Sequence, residues 1–220
     1  EGVLICAENP SATLRKVSEI YDRIGFAGVG KYNEFDQLRV AGIRAADLKG
    51  YSFSREDVDA RTLANQYAQI VSQVFTHEMK PLEVEILVAE VGSEPAEDQL
   101  FHLLYDGTVI DERAFAVLGG DAEAVAERVR AALSGVPDLA AGLQSAVTAL
   151  AGPERTLGGP DLEVALLDRN GPRRCFRRLD DQEVGELLPD APSPATQADA
   201  PTAEAGADGG DDGSGQVPPG

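Results

Sequence analysis

The order of strand-like and helix-like segments is the feature of this sequence that most limits how it can fold. Three strand candidates open the chain at residues 2–8, 16–23 and 24–30, and two amphipathic helices follow them. Three more strands, two more helices, two strands and a short helix complete the order βββ-αα-βββ-αα-ββ-α. Because the strands come in runs and the helices in pairs, this order differs from the alternating strands and helices of a parallel doubly wound sheet. It predicts an α+β fold, a four-layer α/β/β/α sandwich of two antiparallel sheets.

Short local signals mark the ends of several elements. Asp59 is a plausible N-cap for the second helix, and Asp121 and Asp138 are capping residues at the start of the third and fourth. The dipeptide Asp106-Gly107 predicts a β-hairpin, and a further turn is expected at Asn170-Gly171. The later elements are expected at 33–48 and 61–75 (helices), 84–92, 99–107 and 108–120 (strands), 161–168 and 173–179 (strands) and 180–188 (helix).

Composition separates the chain into two parts. Residues 1–188 carry the apolar patterns, and the 43% hydrophobic content of the 220-residue chain suffices for one buried core. From Pro189 onward the sequence is rich in Ala, Gly and Pro, with acidic residues but no basic or aromatic ones. Such a segment buries too little apolar surface to offset its chain entropy. We therefore predict one domain over residues 1–188 and a disordered acidic tail over residues 189–220.

The charge balance argues against nucleic acid as a partner. The chain has 38 acidic and 19 basic residues, so most of its surface repels a phosphate backbone. Its two cysteines, Cys6 and Cys175, lie in apolar strand-like runs, which favours reduced core thiols and indicates a cytoplasmic location. No apolar run is long enough to span a membrane, and the start of the chain lacks the basic region of a signal peptide.

Residues 25–32, GFAGVGKY, contain the G-x-x-x-x-G-K pattern of a phosphate-binding loop through Gly25, Gly30 and Lys31. Such a loop needs Ser or Thr after the lysine to bind magnesium, and this chain has Tyr32 there. The loop also belongs in a parallel sheet, which the order of elements does not predict. We interpret the glycines as positions in a central strand that a covering helix approaches closely. A free-standing nucleotide-binding protein is the alternative.

Other common catalytic and metal-binding motifs do not occur in the sequence. His77 and His102 fall on a helix and a strand without Cys or His at ligand spacing, so a zinc site is not expected. No G-x-S-x-G elbow of a serine hydrolase occurs. We predict no metal and no cofactor.

Several separated segments resemble one protein family. The first is GVLICAENPSATLRKVSEIYDRIGFAGVGKYNEFDQLR, and LANQYAQIVSQVFT, KPLEVEILVAEVG, LYDGTVIDE and DLEVALLDRNGPRRCFRRL follow in the family's order. Together these segments resemble the α subunits of the proteasome core particle of the actinobacterial type. The motif GKYNEF is the most characteristic, and the resemblance covers Gly2 to about Leu188.

The resemblance implies an N-terminal-nucleophile-hydrolase fold assembled into heptameric rings. Two α rings cap two proteolytic β rings, restrict the entry of protein substrates and dock an AAA ATPase unfoldase. In actinobacteria the substrates carry a ubiquitin-like tag. The resemblance also implies a further N-terminal segment that holds the gate, a helix and the first strand, all absent from this chain. Loss of that strand would expose a sheet edge and weaken ring assembly.

The β subunits of the same family suggest an enzymatic interpretation. In them an N-terminal threonine is the nucleophile, helped by an acidic residue on the second strand and a lysine that begins the third. These two positions correspond here to Glu8 and Lys16. The chain begins with Glu1 rather than threonine, and the residues around Gly30 follow the α type. We therefore predict a non-catalytic subunit, with a truncated β-type threonine peptidase as the alternative.

The lysine that begins the third strand has another role in the α subunits of the family. There it lines a pocket between neighbouring subunits and pairs with the C-terminal carboxylate of the activating ATPase. The corresponding residue is Lys16, and Gly30 would form the small floor on which the ATPase tail lies. The alternatives are an ordinary exposed lysine on a strand and a glycine that strand packing requires.

Overall fold

The structure, a computed structural model, describes residues 1–11, 13–133, 135 and 137–188. The predicted tail, residues 189–220, lies outside the described residues. The strands are β1 Gly2–Glu8, β2 Val17–Tyr21, β3 Ile24–Gly30, β4 Val84–Glu90, β5 Gln99–Leu103, β6 Val109–Glu112, β7 Leu162–Asp168 and β8 Phe176–Leu179. The α-helices are α1 Tyr32–Ser52, α2 Ala60–His77, α3 Ala122–Ala132, α4 Leu139–Ala151 and α5 Asp181–Leu187.

The predicted order of elements is confirmed, and its strands form two antiparallel sheets. One sheet has three strands in the order β1-β7-β8, and the other has five in the order β2-β3-β4-β5-β6. The five-stranded sheet joins strands that are consecutive in the chain. In the three-stranded sheet β1 pairs with the distant β7, with Gly2 opposite Asp168 and Glu8 opposite Leu162.

Three apolar clusters fill the spaces between the layers. The first joins α1 and α2 to the five-stranded sheet and includes Phe26 and Tyr67. The second joins α4 and α5 to the three-stranded sheet and includes Leu143. The third lies between the two sheets and includes Ile5 and Leu167. The predicted four-layer α/β/β/α sandwich is therefore confirmed, with side chains alternating between two apolar layers along strands such as β7.

Two glycines of β3 allow neighbouring layers to approach this central strand. A Cβ on Gly28 would lie 2.8 Å from the ring of Phe35 on α1, so the covering helix packs close to the strand as predicted. On the other face, a Cβ on Gly25 would lie 3.1 Å from Cδ1 of Ile5 in the opposite sheet. The small residues of β3 thus serve packing on both of its faces.

The predicted hairpin at Asp106-Gly107 is confirmed. The backbone N–H of Gly107 donates to the carbonyl oxygen of Leu104 at 3.0 Å, and Gly107 has a φ of 88°, which favours glycine. The N–H of Leu104 in turn donates to the carbonyl oxygen of Thr108 at 2.9 Å, where the two strands begin to pair.

The strand predicted over residues 108–120 is wrong beyond its first part. β6 ends at Glu112, which lies opposite Leu100 near the start of β5, so the strand ends where its partner does. The following residues turn away, and the backbone N–H of Gly119 donates to the carboxylate of Glu85 at 3.3 Å. The predicted strand 173–179 is also shorter, because the N–H of Cys175 bonds the carbonyl oxygen of Asp22 rather than a neighbouring strand.

Two of the three predicted helix caps form. The carboxylate of Asp59 accepts a bond of 2.7 Å from the N–H of Thr62, and that of Asp138 accepts one of 2.8 Å from the N–H of Ala141. Asp121 precedes α3 but makes no side-chain cap bond. Its φ of −102° and ψ of 22° differ from the extended conformation of the other two caps, so the predicted cap at Asp121 is wrong.

Candidate functional site

Lys16 lies at one end of the five-stranded sheet, immediately before β2. Its carbonyl oxygen accepts a hydrogen bond of 2.9 Å from the backbone N–H of Gly28 on β3. Its own backbone N–H donates to the carboxylate of Glu163 on β7, at 2.8 Å. The main chain of this partly buried lysine is therefore held by both sheets.

The Lys16 side chain points toward the end of β1. Its Nζ atom donates a hydrogen bond of 2.7 Å to the backbone carbonyl oxygen of Glu8. The carboxylate of Glu8 is bonded instead by the guanidinium of Arg155, at 2.8 and 3.1 Å. The structure thus brings Glu8 and Lys16 together, through the backbone of Glu8 rather than through its carboxylate.

Gly30 is the last residue of β3 and lies opposite Val84 on β4. It has a φ of 104°, and a Cβ at this position would lie 2.0 Å from the carbonyl oxygen of Glu83. Both observations require glycine whether or not anything binds there. Strand packing therefore suffices to explain why residue 30 is a glycine. The role of Gly30 in a binding pocket stays a proposal.

A cluster of charges follows Gly30 at the start of α1. The carboxylate of Glu34 accepts bonds from the backbone N–H of Glu83 at 2.7 Å and from Nζ of Lys80 at 2.9 Å, and Nζ of Lys31 lies 3.6 Å away. Burial raises the pKa of Glu34, but the two hydrogen bonds and the neighbouring ammonium groups outweigh it and lower the pKa below its usual value. The ammonium groups of Lys31 and Lys80 are therefore already paired with the carboxylate of Glu34.

The segment GFAGVGKY does not form a phosphate-binding loop. Residues 25–30 belong to β3, and their backbone groups take part in antiparallel pairing with β2 and β4. A phosphate-binding loop would direct successive backbone N–H groups toward a bound anion instead. The structure therefore supports the interpretation of these glycines as strand residues.

A large groove is lined by residues of β1, β3, β4, α3 and α4. Its volume is about 1500 Å³, and most of its lining is apolar. Lys16 and Gly30 both line it. The two residues proposed for the ATPase pocket therefore border one cavity at the same end of the five-stranded sheet.

Glu163, which holds the main chain of Lys16 in place, was not predicted from the sequence. This residue is only 3% exposed and lies on the face of β7 that points toward the other sheet. Its carboxylate accepts bonds from Nδ2 of Asn9 and from the guanidinium of Arg178 as well as from Lys16. The signal available in the sequence was a single acidic residue inside the apolar strand LEVALL.

Both cysteines are free thiols, as predicted. Burial raises the pKa of Cys6 to about 12 and also raises the pKa of Cys175, so neither is an activated nucleophile. His77 is exposed on α2, whereas His102 is buried on β5 with Nε2 3.3 Å from the carboxylate of Glu85. Within the described ranges, no three His, Cys, Asp or Glu side chains come close enough to hold a metal ion.

Comparison with known families and proteins identifies the family. Residues 2–152 match the proteasome subunit family. The chain is 65% identical to the proteasome subunit alpha of Acidimicrobium ferrooxidans over 191 residues, which are 87% of this chain and 82% of that protein. This chain belongs to the proteasome subunit family.

Further relatives agree on the subunit type. The proteasome subunit alpha of Sanguibacter keddieii is 51% identical over 96% of this chain and 85% of its own length. That of Saccharopolyspora erythraea is 50% identical over 96% of this chain and 82% of its own length. These matches confirm the predicted resemblance to proteasome α subunits of the actinobacterial type, and a proteasome subunit assembles with other subunits of the particle.

Among the residues that the structure describes, none of the helices combines the length and the apolar character needed to cross a bilayer.

Proposed function

We propose that this chain is the non-catalytic α subunit of the proteasome core particle, forming the heptameric outer ring that gates substrate entry and docks an ATP-dependent unfoldase. The observation that carries the assignment is the 65% identity, over most of the chain, to a protein named proteasome subunit alpha. The family match over residues 2–152 and the four-layer fold support it.

The arrangement around Lys16 supports a non-catalytic role. A lysine that activates a threonine hydroxyl is usually held by a carboxylate, which keeps its ammonium directed at the nucleophile. Here Nζ of Lys16 bonds a backbone carbonyl oxygen, and the nearby carboxylate of Glu8 is bonded by Arg155. This geometry favours the α-type subunit over the β-type peptidase.

Lys16 is suited to bind a terminal carboxylate. A lysine ammonium has three N–H donors, and the contact with Glu8 uses one of them. The others can donate charge-assisted bonds to an anion that enters the groove, which Gly30 also lines. We therefore propose Lys16 and Gly30 as the site that binds the C-terminal carboxylate of the unfoldase.

The remaining partners belong to the same proposal. The ring consists of seven copies of this chain, stacks on a ring of β subunits in the order α-β-β-α, and receives proteins with a ubiquitin-like tag from an AAA ATPase in the cytoplasm. We propose residues 1–188 as the proteasome domain and residues 189–220 as an acidic tail. The net charge of −19 supports the prediction that nucleic acid is not a partner.

The test uses the full-length subunit coexpressed with its β partner. Particles with Lys16→Ala should assemble and cleave short peptides normally, because the main-chain bonds of residue 16 to Glu163 and Gly28 remain. They should lose most of the ATPase-dependent degradation of a tagged protein, measured together with the binding of the ATPase ring. Electron microscopy should show the α-β-β-α stack.

The matched control is Lys31→Ala, which removes a neighbouring ammonium that pairs with Glu34 and is half exposed. We expect it to reduce ATPase binding much less than Lys16→Ala does. Undiminished ATPase-dependent degradation by the Lys16→Ala particle would refute the docking role of Lys16. Peptide cleavage by the α subunit without its β partner would refute the non-catalytic assignment.

A further inference from the structure

Glu163 is a buried carboxylate between the two sheets, at the start of β7. Its side chain is 1% exposed, which is costly for a charged group unless hydrogen bonds compensate it. Four donors surround it: Nδ2 of Asn9 at 2.7 Å, the backbone N–H of Lys16 at 2.8 Å, the backbone N–H of Val17 at 3.3 Å, and the guanidinium of Arg178. The charge is therefore fully paired within the protein.

All four partners are hydrogen-bond donors, so this position requires a side chain that accepts hydrogen bonds and donates none. A carboxylate has only acceptor oxygens, whereas a glutamine at the same place would turn an NH2 group toward at least one of the donors. The two backbone N–H groups, those of Lys16 and Val17, both donate to the carboxylate of Glu163. A neutral side chain would leave part of this donor set unpaired.

The same network closes the connection between β1 and β2. Nδ2 of Asn9 also donates to the carbonyl oxygen of Leu14 at 2.8 Å, and the guanidinium of Arg178 donates to the carbonyl oxygen of Val17 at 2.8 Å. Glu163 thus contacts the residue that begins this connection and the residue that ends it, although it lies 147 residues from Lys16 in the sequence. The conformation of the backbone that leads to Lys16 therefore depends on the buried carboxylate of Glu163.

We propose that Glu163 is a positioning residue for the carboxylate-binding lysine. It fixes the backbone of Lys16 so that Nζ reaches the carbonyl oxygen of Glu8 and the remaining donors face the groove. Without this anchor, Lys16 keeps its charge but samples more orientations, and the entropy lost on binding a carboxylate increases. This inference rests on the proposed role of Lys16 in docking the ATPase.

The test measures binding of a fluorescent decapeptide with the C-terminal sequence of the ATPase from the same organism, using assembled particles of full-length α and β subunits. Lys16→Ala should weaken binding by about tenfold, the loss of one charge-assisted contact. Glu163→Gln should weaken it by about three- to tenfold, and Glu163→Asp, which keeps the charge, should recover part of that loss. An amidated decapeptide should bind weakly to every particle.

The double variant separates positioning from general stability. If Glu163 acts through Lys16, Glu163→Gln should add no further loss in particles that already carry Lys16→Ala. An equal loss in both backgrounds would overturn the proposal, because the effect would then not pass through the lysine. Wild-type binding by Glu163→Gln would overturn it as well, while the tenfold loss in Lys16→Ala would leave the docking site standing.

A milder variant keeps the test decisive should Glu163→Gln prevent assembly. Asn9→Ser removes the bond from Nδ2 to Glu163 and the one to Leu14 but leaves the buried charge with its other donors. We expect a loss of about two- to threefold in peptide binding that is absent in the Lys16→Ala background. Unchanged binding by assembled Asn9→Ser particles, together with failed assembly of Glu163→Gln, would reduce Glu163 to a structural residue and overturn the proposal.

Discussion

Gly30 combines two constraints that exclude any other residue. Its φ of 104° is costly for a side chain, and a Cβ would lie 2.0 Å from the carbonyl oxygen of Glu83, a backbone atom that cannot move aside easily. The unfavourable φ alone costs about 1–2 kcal/mol. We therefore expect Gly30→Ala to lower the free energy of unfolding by more than about 3 kcal/mol, measured by urea denaturation.

Gly119 and Gly185 allow the effect of the positive φ to be measured apart from the effect of the backbone contact. Gly119 has a φ of 115° but open space around it, so Gly119→Ala should cost only about 1–2 kcal/mol. Gly185 lies within α5 with neither constraint, so Gly185→Ala should stabilise the protein by about 0.5–1 kcal/mol. Equal stability of the Gly30 and Gly119 variants would show that the contact with Glu83 is unimportant.

Asp22, in the turn between β2 and β3, makes stability depend on pH. Its carboxylate accepts bonds from Arg55 at 2.8 and 2.6 Å, and this contact, with the nearby Arg173, lowers the pKa of Asp22 below its ordinary 3.8. We expect Asp22→Asn to reduce the free energy of unfolding by about 1–2 kcal/mol at pH 7. Urea denaturation from pH 7 to pH 2 measures the difference.

The sign of this dependence follows from the direction of the shift. A carboxyl whose pKa is lower in the folded state stabilises the fold fully above its unfolded pKa and loses this contribution as the pH falls through the folded pKa. The difference between wild type and Asp22→Asn should therefore shrink below about pH 4. Glu127→Gln, which removes an exposed pair with Arg130, should change stability by less than about 0.5 kcal/mol at any pH. A difference at Asp22 that stays constant with pH would contradict the assigned contact.

At the scale of elements, α2 and α3 begin with the same residue type but differ in their caps. The carboxylate of Asp59 bonds the N–H and the hydroxyl of Thr62, each at 2.7 Å, and Nζ of Lys49 at 2.9 Å. Asp121 makes no side-chain cap bond. We expect Asp59→Ala to lower the free energy of unfolding by about 1–2 kcal/mol and Asp121→Ala by less than about 0.5 kcal/mol, measured by urea denaturation.

The contrast between these variants tests the difference in geometry. Asp138→Ala is the second positive control, because Asp138 caps α4 through the N–H of Ala141. The loss in free energy of unfolding for Asp138→Ala should be near the lower end of the range given for Asp59→Ala. The reason is that a lysine adds to the contacts of Asp59 but not to the cap at Asp138. Equal losses for Asp59→Ala and Asp121→Ala would mean that helix dipole effects, not the cap bond, dominate at both ends.

At the scale of the whole molecule, α5 sets the end of the proposed domain. Val184 and Leu188 are buried against the three-stranded sheet in the cluster that contains Leu143. A chain that ends after Leu188 should unfold at the same temperature as the full chain, because these buried side chains remain. A chain that ends after Asp180 exposes the cluster and should lose about 3–6 kcal/mol of stability.

This pair of truncations also tests the assignment of residues 189–220. Removing them takes away acidic residues and no basic ones, so solubility at neutral pH should fall slightly while stability stays the same. Calorimetry measures the unfolding temperature of both truncated chains and the full chain. A clear destabilisation of the chain ending after Leu188 would show that the domain extends further.

Much of the fold followed from patterns within short segments. The order of elements, the hairpin at Gly107 and the caps at Asp59 and Asp138 depend on residues that are close in sequence, and all are confirmed. The cap predicted at Asp121 was wrong because the backbone there adopts a different ψ, which the residue type does not determine. The strand predicted to residue 120 was wrong because its partner strand ends earlier.

The candidate site, like the fold, could be predicted only in part. Lys16 and Gly30 were assigned from the resemblance of a short stretch to known α subunits, and their docking role stays a prediction. The atoms that surround them were not predictable: Arg155 takes the carboxylate of Glu8, and Glu163 holds the backbone of Lys16. Both contacts join residues about 147 positions apart, and no local pattern encodes such a distance.

The amino-acid sequence by itself determined the succession of strands and helices and the family, because hydrophobic periodicity and short motifs are local properties. Only the tertiary structure decided that β1 pairs with β7, which residue neutralises each buried charge, and that Gly30 is required by the backbone of Glu83. These features depend on packing two sheets against each other, since burial between them forces each polar group to find its partner wherever the fold places one.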